Sequence, residues 1–372
     1  MTVIAHTATP LARKLAARIT QDGPISVADY MQACLHDLEH GYYRRRMAIG
    51  GAGDFVTAPE ISQVFGELIG LWCTVVWQQM GAPQAVRLIE LGPGRGTLMR
   101  DALRASRLVP EFRAALSVDL IETNAALADI QRTTLGGEAV ALGWSTGLEP
   151  GAAPAIVVAN EFLDTLPVAQ WAFRDGAWHR RCVGLDAAGD LNFVDGARDT
   201  PITLPDDLGA PLDGDVWESR DAAMAGFAGK LATLGAPFAA LFIDYGHAHP
   251  GFGDTLQAIS EHRYTDPLHA PGEADLTSQV DFAAFTHITS AHGLACDGPV
   301  PQAKFLGRLG IVERASRLMA ANPAKAAQIE TAIARLMAPG GMGTRFQAIG
   351  VRSRDLVPLP ALGAVDTGTG SS

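Results

Sequence analysis

The sequence predicts an α/β protein built on a doubly wound, mostly parallel sheet, and three observations predict it. Short apolar runs at 86–91, 118–122, 139–142, 155–160 and 238–244 alternate with stretches of helical spacing. A glycine-rich turn, Gly92-Pro93-Gly94-Arg95-Gly96-Thr97, directly follows the first run. A last run at 344–351 returns after a helical stretch. Strands that alternate with helices imply parallel pairing with both faces of the sheet covered.

The elements can be justified in order. Residues 11–20 and 27–39 show helical spacing, with Ser26 placed to cap the second helix and Gly41 to end it. Gly50-Gly51-Ala52-Gly53 breaks the pattern and introduces the segment 54–63, after which an apolar helix runs to about Met80. Its run at 68–77 is expected to be core. After strand 86–91 and the glycine turn comes a helix at 98–107. The second strand, 118–122, leads into a helix at 124–135, and 139–142 is a weak third strand. Between the fourth and fifth strands, 168–173 and 178–183 flank Arg174-Asp175-Gly176-Ala177, an Asp-Gly hairpin turn that 191–194 extends. Beyond Asp244 a Gly/His/Pro-rich stretch precedes helices near 279–292, 311–321 and 324–337. Residues 1–85 thus read as a helical cap region. Residues 86–353 read as the core, with a hairpin inserted at about 168–195 and a helical insertion at about 246–340. Residues 354–372 read as a tail, frayed from 366.

Composition narrows the class. Of 372 residues, 48% are hydrophobic and 19% charged, which is globular and excludes extended disorder away from the ends. Forty acidic against 29 basic residues leave a net charge of −11, so the average surface repels a phosphate backbone and favours a cationic partner. Cys34, Cys73, Cys182 and Cys296 lie far apart, as in a reducing compartment. No metal is expected: there is no His-Glu-x-x-His, and His247-Ala248-His249 reads as a loop. No apolar run approaches the ~20 residues of a membrane span, and the expectation is a soluble, cytoplasmic protein. Residues 1–21 carry Arg13, Lys14 and Arg18 without an acid, which reads equally as a transit-like segment or as an amphipathic helix through Leu11, Leu15 and Ile19.

Three clusters carry chemistry. In Glu90-Leu91-Gly92-Pro93-Gly94-Arg95-Gly96 the glycines permit a sharp turn and close approach of a ligand to the backbone, and the next helix offers free amides at its start. A dinucleotide fingerprint needs glycine at 97, where Thr97 stands, so the spacing favours S-adenosylmethionine over NAD. Glu122, at the end of the second strand, can accept ribose hydroxyls of either cofactor. No acid stands at the end of the third strand for an adenine; Trp144 reads either as stacking on the base or as a core tryptophan. The third cluster, Asn160-Glu161-Phe162-Leu163-Asp164-Thr165-Leu166-Pro167, begins where the fourth strand ends and faces the reaction crevice. Glu161 and Asp164 can bind a guanidinium by paired charge-assisted hydrogen bonds and orient a nitrogen lone pair. A helix cap by Asn160 or Asp164 is the structural alternative.

These motifs, with the upstream Gly-Asp-Phe-x-Thr-Ala-Pro-Glu-Ile-Ser run ending in Phe65-Gly66-Glu67, Asp244-Tyr245-Gly246, Ala274-Asp275-Leu276-Thr277 and Val280-Asp281-Phe282, resemble the MidA family of S-adenosylmethionine-dependent methyltransferases over residues 10–353. Its mitochondrial members are complex I assembly factors. The resemblance implies a seven-stranded class I methyltransferase fold and, from those members, symmetric dimethylation of an arginine in a complex I subunit, hence a protein partner. It implies that Glu90, Gly92, Gly94, Gly96 and Glu122 bind S-adenosyl-L-methionine; Thr97 and Trp144 are further candidates beside them. Thr57, Pro59, Glu60 and Ser62 would close over the cofactor or the substrate, and Asn160, Glu161 and Asp164 would line the transfer site. A non-catalytic cofactor-binding assembly factor and an NAD-dependent oxidoreductase are the competing readings.

Overall fold

The computed structural model describes residues 9–45, 56–201, 204–205, 208–235, 237–260 and 262–363. The glycine break at 50–53 and the tail at 366–372 lie outside the described residues. Among the described residues seven strands run side by side through the central sheet: β1 (Val86–Leu91), β2 (Leu116–Ile121), β3 (Ala141–Ser145), β4 (Ala155–Asn160), β5 (Phe238–His247), β6 (Ala295–Pro301) and β7 (Phe346–Arg352), and the two-residue strand Val280–Asp281 pairs with the end of β5. Their order is β6-β7-β5-β4-β1-β2-β3. β7 runs antiparallel to β5 and β6, and the other neighbours are parallel. This is the seven-stranded arrangement that the resemblance implies.

The order positions the site. From β1 the chain winds outward to β2 and β3, then returns to β4 on the other side of β1 and winds the opposite way. Ligands of open α/β sheets bind beyond the carboxyl ends of the two strands flanking such a reversal. Leu91 of β1 pairs with Ala159 of β4, so the glycine turn and the turn that starts at Asn160 leave the sheet side by side.

Helices cover both faces. On one, α3 (Gln63–Gln79) packs against α4 (Thr97–Ser106), burying Leu68, Ile69, Trp72, Val76 and Trp77, so the apolar run is core as expected. On the other, α6 (Asp221–Ala232) and α7 (Phe282–Ala291) contribute Phe227 and Phe285, whose rings stack edge-on against Phe242 of β5. The α5 helix (Ala125–Leu135) follows β2, capped by Asn124. Cys34, Cys73 and Cys182 are buried free thiols, and Cys296 is half-buried and free.

The peripheral segments differ from the sequence reading. The hairpin Ala169–Arg174 and Ala177–Leu185 forms, turning through Asp175 and Gly176 at φ +49° and +73°. It belongs to a five-stranded sheet that Leu191–Arg198, Val216–Ser219 and Ile25–Ser26 complete. The insertion therefore runs past 195 to 219. α1 (Pro10–Asp22) and α2 (Val27–His36) share a core with this sheet and with the three-stranded sheet Gln257–Ser260, Arg263–Thr265 and Asp275–Thr277, through Leu11, Tyr30, Val183, Ala258 and Leu276. Residues 1–85 thus divide between two cores. The stretch expected to be a helical insertion also carries a core strand, β6, hidden in the sequence by Gly298, Pro299 and Pro301. As an edge strand with a register shift between Asp297 and Val300, it can omit amide donors that a central strand needs. The weak third strand starts two residues later than expected and includes Trp144.

Gly66 and Gly70 on α3 set the closeness of α3 to α4. A Cβ on Gly70 would lie 2.6 Å from the Ala102 carbonyl oxygen and 2.7 Å from its Cα. Gly→Ala inside a helix is ordinarily stabilising by about 1 kcal/mol. Gly70→Ala should reverse that sign and cost about 1–3 kcal/mol through overpacking, read as a lower urea midpoint at unchanged m-value. A stabilised variant would show that the helices can separate freely.

Candidate active site

The glycine turn takes the shape that its sequence demands. Gly92, Gly94 and Gly96 have φ of +59°, +54° and +79°, in the left-handed region that glycine enters without strain, and Gly96 caps α4. Just before the turn, Glu90 is buried, and burial pushes its carboxyl up to about 8. Its Oε2 has no hydrogen-bond partner. A buried acid with a bare oxygen beside an open backbone turn suits a ligand that brings a positive charge.

Glu122 stands just past β2. Its Oε1 accepts the Asn124 amide at 2.7 Å and its Oε2 accepts Gln131 Nε2 at 3.1 Å, while burial raises its pKa. The same Gln131 nitrogen donates to the Gly94 carbonyl at 2.8 Å, and Gln131 Oε1 accepts the Trp144 indole N–H at 3.0 Å. Gln131 thereby ties the ends of β1, β2 and β3 together. Trp144 is placed in this bracket, with the Arg132 guanidinium 4.8 Å over its ring, and it does not line the cavity. The base-stacking expectation for Trp144 finds no support in that placement.

The upstream segment lies over the turn. Ala58–Ile61 forms one helical turn, and Ser62 caps α3 by accepting the Val64 amide at 3.3 Å. Glu60 accepts the Thr97 hydroxyl at 2.5 Å, and the Ala58 amide bonds to the Glu161 carboxylate. Thr57, Pro59 and Glu60 line the small chamber next to the glycine turn; Ser62 faces outward of it.

The third cluster is the most constrained. Glu161 adopts φ +54°, a left-handed conformation that costs a side-chain-bearing residue energy and recurs at functional sites. Asn160 Nδ2 donates to Glu161 Oε1 at 3.1 Å, leaving Asn160 Oδ1 buried without a partner. Asp164 Oδ2 accepts the Tyr245 hydroxyl at 2.6 Å, and Asp164 Oδ1 is likewise buried and unpartnered. Neither Asn160 nor Asp164 caps a helix with its side chain. Burial, then the charge of Asp164, pushes Glu161 up to about 7; burial pushes Asp164 up to about 6 against the opposing pull of Tyr245 and Arg220.

Two residues outside the three clusters build this turn. Asp244, on β5 just past its last pair with β4, accepts the amides of Phe162, Leu163 and Asp164 on Oδ2 at 3.0, 2.8 and 3.2 Å, and the Tyr245 amide on Oδ1 at 2.9 Å. Arg220, 5% exposed, donates to the carbonyls of Asp164 at 3.1 Å and Leu166 at 3.0 Å and to those of Ser278 and Gln279. Asp244 was visible as a strand-end acid. Arg220 had no signal: a lone arginine before a helix reads as surface.

A cavity of about 260 Å³ joins these groups. Gly92, Gly94, Glu122, Glu161 and Asp164 line it, as do Asp275 and Thr277 of the insertion. Gly92, Gly94, Thr57 and Glu161 also border the adjoining chamber of about 50 Å³ that holds Glu90, Asn160 and Thr97. Glu161 therefore stands where the two meet. A larger cavity, about 430 Å³, opens on the far side of Arg220 but touches neither the glycine turn nor Glu161. Volume alone would select it; the convergence of strand ends, bare acceptors and glycine backbone selects the smaller one. Among the described residues, no group of three or more His, Cys, Asp or Glu side chains could hold a metal ion, and no helix is long and apolar enough to cross a membrane.

Comparison with known proteins agrees. A family model for S-adenosyl-L-methionine-dependent methyltransferases matches residues 68–300. The protein arginine methyltransferase NDUFAF7 homolog, mitochondrial, of Drosophila melanogaster is 35% identical over 395 residues, covering 95% of this chain and 88% of its own. The mitochondrial protein arginine methyltransferase NDUFAF7 of Homo sapiens is 34% identical over 366 residues, covering 91% and 82%. A Burkholderia thailandensis protein crystallised with S-adenosyl-homocysteine bound superposes with a TM-score of 0.81 at 28% identity, covering 96% of this chain and 93% of that one.

Asp244→Asn should remove the charge from four amide bonds and turn an N–H₂ toward amide donors. The expected cost is about 2–4 kcal/mol of stability, since charge-assisted bonds contribute about 1.5–3 kcal/mol each and a mismatched buried donor adds a penalty. Chemical denaturation measures it. A loss below about 1 kcal/mol would mean that the turn holds its shape without Asp244.

Proposed function

The chain belongs to the MidA family of S-adenosylmethionine-dependent methyltransferases, and we propose that it methylates arginine in a protein, by symmetric dimethylation of a respiratory complex I subunit. Glu161 carries the reading: it borders both the chamber beside the glycine turn and the acid-lined cavity, with Asp164 Oδ1 and Asn160 Oδ1 bare beside it. The names of the relatives support arginine as the acceptor.

The residues fit the cofactor. Gly92, Gly94 and Gly96 would lie against it, Glu90 would meet its positive charge and Glu122 its ribose hydroxyls, with Thr57, Pro59, Glu60 and Thr97 closing the near side, Ser62 capping the helix behind them and Trp144 acting through Gln131. When bound, S-adenosylmethionine supplies the methyl group as an electrophile on a sulfonium and leaves as a neutral thioether. The chain's own task is to hold the arginine in line and receive its proton. Two buried carboxylates kept close raise each other's pKa, and a guanidinium between them relieves that repulsion by paired hydrogen bonds. The proton shed by the methylated nitrogen passes to Glu161 or Asp164, the only net atom the protein takes up.

Gly94→Val should raise the Kd for S-adenosyl-homocysteine at least about 100-fold by calorimetry, because a branched side chain would occupy the ligand's space at a φ that valine resists. Unchanged affinity would remove the glycine turn from the cofactor site.

Both carboxylates must be ionised to bind a guanidinium. Their folded values, about 7 and about 6, lie above the ordinary carboxylate range, so kcat/KM should rise as pH increases from 5 to 8 and flatten above. Glu161→Gln should lower kcat at least about 100-fold with S-adenosyl-homocysteine affinity retained. Mass spectrometry of complex I subunits with and without the gene tests the substrate: a dimethylarginine lost with the gene is expected, and identical spectra would overturn the complex I assignment.

A further inference from the structure

A row of polar side chains leads from the inserted three-stranded sheet to the transfer site. Gln257 Nε2 donates to Thr277 Oγ1 at 3.2 Å, the Thr277 hydroxyl stands next to the Tyr245 phenol, and Tyr245 donates to Asp164 Oδ2 at 2.6 Å. The directions follow from the groups. An amide nitrogen only donates, so Thr277 accepts there and keeps its own proton, which is free to point at Tyr245; a carboxylate only accepts, so the phenol donates to Asp164.

We propose that Tyr245, with Thr277 behind it, is a positioning residue for methyl transfer, holding Asp164 by Oδ2 so that Oδ1 alone is presented to the acceptor nitrogen. This rests on the arginine reading of the same site. Asp244 and Arg220 already fix the backbone at Asp164, which leaves the side-chain torsions as its remaining freedom, and one hydrogen bond to one oxygen removes it. The phenol itself is held by the β5 backbone and by the Phe346 ring, 5.5 Å away edge-on. A phenol that keeps its proton and donates it in a hydrogen bond to Asp164 is not a base, so its part is orientation.

The charged groups facing Asp164 come from four elements: Glu161 on its own turn, Asp244 and Tyr245 on β5, Arg220 at the start of α6, and Tyr43 from Tyr42–Arg45. Glu161 and Asp244 disfavour its ionised form. Arg220 and the Tyr245 donor favour it. Deleting the donor therefore moves the Asp164 titration to higher pH.

The test is Tyr245→Phe, read in two ways. With carbonyl-¹³C aspartate, the Asp164 resonance, identified by its loss in Asp164→Asn, should titrate about one pH unit higher than in the unmodified protein. In turnover, the acidic limb of kcat/KM should move the same way and kcat should fall about tenfold, while the Kd for S-adenosyl-homocysteine stays within about twofold. Thr277→Val should give a smaller shift in the same direction, and Thr277→Ser should show none. An unmoved Asp164 titration in Tyr245→Phe, or Thr277→Val matching Thr277→Ser, overturns the proposal. The titration needs no substrate: if it shifts while no arginine is ever methylated, the positioning role stands and the arginine reading falls.

Discussion

The carboxylate of Asp244 takes the amides of three consecutive residues, Phe162, Leu163 and Asp164, and the rest of the site depends on that. A chain leaving the end of β4 has amides that no longer meet a neighbouring strand, and a buried amide without a partner costs about 1–3 kcal/mol. One acid on the adjacent strand satisfies three of them by curling the turn around a single oxygen. The curl obliges Glu161 to sit at φ +54°. Arg220 occupies the carbonyl side of the same turn, donating to Asp164 and Leu166. An anion thus collects its donors and a cation its acceptors, so the backbone between them has little freedom, and the side chains of Glu161 and Asp164 are delivered to the cavity by the strand ends themselves.

That rigidity is what allows acids to be gathered so closely. Glu90, Glu161, Asp164 and Asp244 are all pushed above the ordinary carboxylate range by burial. Left mobile, such groups would turn outward to water or pair with arginines. Elsewhere in the molecule buried acids do pair: Glu67 holds Arg104 at 2.9 Å and Arg314 at 2.7 Å, and Asp297 holds Arg352 at 2.8 Å. Asp164 instead keeps Oδ1 bare, and Glu90 keeps Oε2 bare. Glu67 and Asp297 meet their cations within the fold, whereas Asp164 Oδ1 and Glu90 Oε2 stand beside the glycine turn without a hydrogen-bond partner. Binding a cation there gains the interaction without first having to order the side chains.

The parts legible in the sequence are those governed by local rules. Strands β1 and β4, the left-handed glycines, the Asp-Gly hairpin and the Ser26 cap each follow from residue type at short range, and the acids at strand ends follow from the topology of a doubly wound sheet. Residues whose role is set by distant partners were not legible. Gln131 is an ordinary helix residue until the ends of β1 and β3 are brought to it. Arg220 acquires its role only when the turns at 164–166 and 278–279 converge on it. β6 escaped because prolines oppose strand propensity, and only its place at the sheet edge makes them tolerable. Trp144 is a related case: its place in the sequence does not say which way an indole turns, and in the structure its N–H goes to Gln131.

The walls of the cavity also differ in origin. Gly92, Gly94, Glu122 and Glu161 come from the seven-stranded core, where strand order fixes them. His36, Tyr43, Asp275 and Thr277 come from the N-terminal helices and the insertion, which share a separate apolar core with the five-stranded sheet. Tyr43 donates to Asp275 at 2.7 Å and thereby closes that wall. The wall that carries the glycine turn and the strand-end acids is built by the seven-stranded core, whereas the facing wall is built by additions that such a sheet does not require. Thr277 of the added sheet and Tyr245 of β5 stand side by side where the two parts meet, and the Tyr245 hydroxyl reaches Asp164 at 2.6 Å.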